Sequence, residues 1–146
     1  MKTANKIIGV CILCLAFHVG AVAQCKSIVK DAIQKLSPYQ HNGQVNNVTI
    51  KDGKTAEIHL SFYKGLYYKL QISSEKSLGK VHFRVLDENK KEVYNSNNDQ
   101  AESWNFYSNS SQELVVEIIP SETKKGCAAV LVGMQVPKKS NPIRNL

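Results

Sequence analysis

The run Gly126-Cys127-Ala128-Ala129-Val130-Leu131-Val132, continuing to Met134 and Val136, decides how the chain folds. Leu114-Val115-Val116 and Ile118-Ile119 just before it have the same character. Both are apolar at odd and even positions alike. A half-buried strand alternates; a strand apolar on both sides must be covered on both sides. One side belongs to a sheet-on-sheet interior. The other needs a lid.

The only spare apolar surface lies near the start of the chain. Over residues 25–36, Cys25, Ile28, Val29, Ala32, Ile33 and Leu36 share one face of a helical period, and Lys26, Lys30, Asp31, Gln34 and Lys35 share the other. Pro38 stops the helix, since it lacks an N–H and restricts its predecessor. Laid over the last strands, the stripe would contribute several kcal/mol, at roughly 1.5–3 per buried aliphatic side chain.

Between helix and final strands the period is two. After a turn at His41-Asn42-Gly43, Val45, Val48 and Ile50 make a loose first strand that ends at the turn pair Asp52-Gly53. Ala56, Ile58, Leu60 and Phe62 alternate with Glu57, His59, Ser61 and Tyr63. Leu66, Tyr68, Leu70 and Ile72 alternate with Tyr67, Lys69 and Gln71. Val81, Phe83 and Val85 are followed by the polar loop Asp87–Lys91 and a return strand at Val93-Tyr94. After a second polar loop from Asn95 to Gln100, Trp104 and Phe106 alternate with Asn105 and Tyr107. Short strands at near-regular spacing predict a mainly β fold: an antiparallel β-sandwich or jelly roll, with one N-terminal α-helix on the outer face of a sheet.

The chain has 146 residues and a formal net charge of +7, room for one domain and too apolar for a disordered chain. Its beginning reads as a secretory leader over residues 1–23. Lys2 and Lys6 are basic, Ile7–Val22 is apolar or small apart from His18 and two thiols, and Ala21-Val22-Ala23 is a small-x-small cleavage site. The apolar stretch falls short of the ~20 residues a spanning helix needs, which argues against a retained anchor. Cys25 stands where a lipid-modified cysteine would stand, but Gln24 before it is not the small residue a lipoprotein peptidase wants, so cleavage after Ala23 is the first choice. Loss of Lys2 and Lys6 lowers the charge to +5. The remaining chain divides into a helix-plus-sandwich domain at 24–136 and a basic tail at 137–146, with no segment apolar enough to span a bilayer.

Cys11 and Cys14 leave with the leader. Cys25 and Cys127 remain, and an even pair in an oxidising compartment reads as a disulfide. Two unpaired buried thiols are the alternative, hazardous outside the cytoplasm.

Candidate sites are few. His59, His82 and an acid such as Glu57 could hold zinc or copper if their strands are neighbours, but no single element has ligand spacing, so no metal site and no cofactor is assigned; His41 lies apart in its turn. Asn95-Ser96-Asn97-Asn98-Asp99 offers oxygen ligands but a single carboxylate, and reads as a polar turn. Tyr63, Tyr67 and Tyr107 fall on outward positions, where aromatic platforms hold sugars in many sandwich modules; outward tyrosines also suit strands for propensity alone. Lysines are spread along the chain without an arginine–aromatic cluster, which argues against nucleic acid. There is no Gly-x-Ser-x-Gly, His-Glu-x-x-His or phosphate loop, and Glu57 and Glu117 lie on strands without an evident partner. Asn47-Val48-Thr49 and Asn109-Ser110-Ser111 match a glycosylation acceptor relevant only in a eukaryotic host.

The Cys25 helix, Ser37-Pro38-Tyr39, Asn42-Gly43-Gln44, Phe62-Tyr63-Lys64-Gly65, Trp104-Asn105-Phe106 and Gly126–Gly133 together resemble a group of small exported proteins of Bacteroidetes-type bacteria without an assigned activity. The resemblance implies the bacterial envelope and carries over no catalytic residue. More distantly, Leu66–Val136, centred on the Val85-Leu86-Asp87 hairpin, is similar in architecture to the jelly-roll-like pre-peptidase C-terminal domains. It departs from them where Gln112-Glu113-Leu114 stands in place of a Gly-x-Tyr. Fold alone does not confer function. The expectation is a non-catalytic exported protein, monomeric or weakly associated, with a binding or structural role in the periplasm or at the cell surface. A carbohydrate-binding module using the three tyrosines is second, and a small metal-binding protein or hydrolase third.

Overall fold

The doubly apolar strand sits in the middle of a sheet. In the computed structural model, which describes residues 20–137 with side chains from Cys25 onward, β8 (Gly126–Gln135) lies between β1 (Gln40–Ile50) and β3 (Tyr67–Ser74), and β6 (Ser103–Tyr107) completes a first sheet in the order β1-β8-β3-β6. β2 (Ala56–Phe62), β7 (Gln112–Pro120), β4 (Val81–Leu86) and β5 (Glu92–Asn95) make a second sheet in the order β2-β7-β4-β5. All pairings are antiparallel. A short 3₁₀ turn, Lys76–Leu78, leads from the first sheet towards β4. Most of the expected leader and of the basic tail lie outside the described residues.

Inward residues of both sheets meet in one core. Leu60, Phe62, Leu114, Val116 and Ile118 come from one side, with Phe83 and Val85. Tyr68, Leu70, Ile72, Ala128, Val130 and Val132 come from the other. A run of aromatic rings lies along the β6 and β5 side of this core: Phe62 against Phe106 at 5.1 Å, Phe106 against Trp104 at 4.3 Å, and Trp104 against Tyr94 at 5.1 Å between centroids. Such contacts add modestly to the area they bury.

The helix α1 (Gly20–Lys35) packs on β8 and β3, on the outer face of the first sheet. Ala32 and Leu36 close over Ala129 and Leu131, with Ile28 and Val29 beside them. Cys25 is bonded to Cys127 across 5.7 Å between Cα atoms, which fixes the helix to the start of β8. The other end is held by Lys69, whose Nζ donates to the Lys35 carbonyl at 2.6 Å and satisfies one of the orphan acceptors of the last turn. Gly133 lets the chain after the helix come down onto β8: a Cβ there would lie 2.7 Å from that of Tyr39 and 3.1 Å from Leu36 Cδ2.

Four expectations need correction. The lid covers β8 but not β7, because the two apolar strands belong to different sheets. Ile33 is left 41% exposed at the flank of the stripe. His41-Asn42-Gly43 lies within β1, whose register slips between His41 and Val45 with Gly43 at φ +84°, a bulge rather than a chain reversal. Gln71, expected outward in water, is buried on the face the helix covers; its amide donates to the Ile72 and Glu102 carbonyls.

Candidate functional site

Of the three outward tyrosines, the fold brings two together. Tyr67 and Tyr107 are direct cross-strand partners on β3 and β6, with ring centroids 4.9 Å apart, tilted by 52° and 43% exposed each. Tyr63 stands on the loop after β2 with its ring exposed; its N–H donates to the Tyr68 hydroxyl at 3.0 Å. That loop is tied to the β6–β7 connection by Gly65 N–H to the Ser108 carbonyl and Lys64 N–H to Ser111 Oγ. The pair is an aromatic shelf at the end of the first sheet, beyond the helix.

The histidines do not assemble. β7 lies between β2 and β4, so His59 is registered with Val115 and His82 with Ile119, on opposite sides of that strand and four residues apart along it. His59 Nδ1 instead meets Glu113 Oε1 at 2.9 Å, both well exposed, and His41 Nε2 meets the Gln44 carbonyl. Among the described residues no three His, Cys, Asp or Glu side chains are placed to hold a metal ion.

The polar loop after β5 is a built turn. Asn95 Oδ1 accepts the Asn97 N–H, and Asp99 Oδ1 accepts the Ala101 N–H. Asp99 also accepts the Tyr94 hydroxyl at 2.9 Å. Partial burial, then the bond to Asp99 and its negative charge, push the Tyr94 phenol up to about 12.

Two features escaped the sequence. The first is the outer face of the second sheet. Glu57 and Glu117 are direct cross-strand partners, and Arg84 from the third strand lies across from Glu117, reaching its Oε2 through Nε at 2.7 Å. The guanidinium also lies 3.8 Å from Glu92. Like charges directly opposite cost stability, and Arg84 offsets that cost at Glu117 while Glu57 stays exposed. Alternation predicts that these side chains face outward; only the strand order shows that they meet. The second is a cleft of about 780 Å³ between the helix, the end of β3, the start of β4 and the β5–β6 connection. Lys35 to Glu102, at 2.7 Å, and Lys80 to Gln100 join its walls.

No family model matches the sequence, and no curated protein matches it. Solved structures do. The fold is similar to that of PliG from Aeromonas hydrophila, a periplasmic lysozyme inhibitor of g-type lysozyme, with a TM-score of 0.51 and 11% identity over 67% of this chain and 89% of that one. PliG from Salmonella Typhimurium, also a periplasmic inhibitor of g-type lysozyme, gives a TM-score of 0.43 and 13% identity over 65% and 89%. At such identity the likeness to the Aeromonas protein is one of fold. No helix among the described residues is long and apolar enough to cross a membrane.

Proposed function

We propose that this chain is an exported, non-catalytic β-sandwich that binds a protein partner in the bacterial periplasm or at the cell surface, and that the partner is a lysozyme-type enzyme which it inhibits. The observation that carries the reading is the shared fold. Nearly the whole of the Aeromonas inhibitor, 89% of its length, superposes on this chain. A disulfide joining Cys25 to Cys127 fits the same compartment. So does the resemblance to small exported proteins of Bacteroidetes-type bacteria.

The test is a lysis assay. Purified oxidised protein is added to lysozymes of the g type and of other types acting on a suspension of bacterial cell walls. The reading expects dose-dependent inhibition of at least one type, with a stable complex on gel filtration. Full lytic activity at a large molar excess of the protein, with no complex, contradicts it.

The aromatic shelf favours a second reading, glycan binding. Two tilted, exposed rings at 4.9 Å offer a surface against which a sugar ring can lie. That reading expects retention on a glycan array that Tyr107→Ala abolishes, and an array with no bound glycan removes it.

A further inference from the structure

We infer that the outer face of the second sheet is the surface that meets the partner, and that it receives a cationic protein surface. The inference rests on the partner-binding reading above and adds where, and by what chemistry, the partner docks. Three observations converge on it.

The first is coverage. The outer face of the first sheet lies under the helix, whereas no helix among the described residues lies over the second. The second is the sequence of β7. Outward positions of a solvent-facing antiparallel strand are ordinarily polar, yet β7 presents Val115 and Ile119 there. Val115 is in register with Leu86 on β4, and Val93, the extra residue where the β4–β5 register slips, is 45% exposed. The row Val115-Leu86 lies beside the charged row Glu57-Glu117-Arg84, which separates it from Ile119; apolar positions set among charged ones are how a docking face is built.

The third observation is charge. The chain is basic, but the four strands of this sheet contain no lysine. Their outward charges are Glu57, Glu113, Glu117 and Glu92 against the single Arg84, which is engaged by Glu117 and lies near Glu92. His59, beside Glu113, adds positive charge only when protonated. The exposed side of the helix carries Lys26, Lys30 and Lys35 against Asp31, with Lys35 paired to Glu102. A cationic partner is therefore repelled by the helix side and attracted to the open sheet, which orients the encounter before contact.

The experiment measures binding of lysozymes of the g type and of other types to the wild-type protein and three variants at low and high salt. Glu57→Lys/Glu113→Lys reverses charge at two exposed positions; Lys30→Glu reverses it on the helix and serves as the control. Thermal unfolding confirms that each variant folds. The expected result is binding weakened roughly tenfold or more by the sheet variant, with a shallower salt dependence, and changed less than about twofold by the helix variant. Val115→Arg, which places a charge in the apolar row, weakens binding at both salt concentrations. Equal binding by the sheet variant and the wild type overturns the docking face and leaves the inhibitor reading standing. Absence of wild-type binding overturns the reading, and the face with it. Salt-sensitive self-association of the wild type, lost in the sheet variant, shows that the face meets a second copy and overturns the assignment of its partner.

Discussion

The two sheets turn opposite kinds of outer face to their surroundings. The first has small and aliphatic residues there, Ala129, Leu131 and Gly133, closed in by Ala32 and Leu36 and pinned by a disulfide. The second has Glu57, Glu117, Arg84, His59 and His82 around Val115 and Ile119, and no helix over it among the described residues. The contrast separates two uses of apolar sequence. On β8 the outward apolar residues are part of the fold, because another element of the same chain covers them. On β7 they are left half-buried in a charged surround, as the proposed docking face requires.

The largest expected effect lies on the closed face. Removing the bond with Cys25→Ser/Cys127→Ser frees a loop of 102 residues, which in the chain-entropy model costs about 4.7 kcal/mol. Denaturant unfolding of the oxidised and double-serine proteins measures it, and equal stabilities would break the comparison at its strongest point. Next comes a matched pair of truncations. Leu131→Ala opens a cavity under the helix and costs about 2–5 kcal/mol, whereas Val115→Ala on the open face costs less than about 1 kcal/mol. Similar losses at the two sites would mean that β7 is as enclosed as β8.

Gly133→Val would force a branched side chain against Tyr39 and Leu36, at about 1–3 kcal/mol, read as a lowered unfolding midpoint. A smaller effect of opposite sign is expected on the other sheet. Glu57→Thr removes the carboxylate facing Glu117 and raises stability by about 0.2–1 kcal/mol while leaving Arg84 to its partner. The last is a pH dependence, read only in alkaline solution. The folded-state value of Tyr94, near 12, lies above the ordinary 10, so folding favours the protonated phenol. Its contribution is complete below pH 10 and is lost as pH rises through about 12. Asp99→Asn should bring the ultraviolet phenolate transition of Tyr94 back towards the ordinary value.

Much of this was legible in the chain because it is local. Helical period marks Ile28, Val29, Ala32 and Leu36, and period two marks the inward residues of β2, β3 and β4; cysteine count, on the expectation of export, pairs Cys25 with Cys127 although 102 residues separate them. What was not legible depends on which strands become neighbours. β7 and β8 carry the same two-sided pattern, and nothing within either says that one joins β1 and β3 while the other joins β2 and β4. The meeting of Glu57 with Glu117, the separation of His59 from His82 by β7, and the burial of Gln71 all follow from that nonlocal choice. The Tyr67–Tyr107 pair belongs to the same class: outward positions could be read from each strand, but their register could not.

The central claim is that the opening helix is fastened over β8 by its own cysteine. Proteolytic mapping of the purified protein after alkylation without reductant tests it most directly. The account predicts that Cys25 and Cys127 are recovered in one linked pair of peptides that separates only on reduction. Recovery of either cysteine in its alkylated form, unlinked to the other, would contradict it.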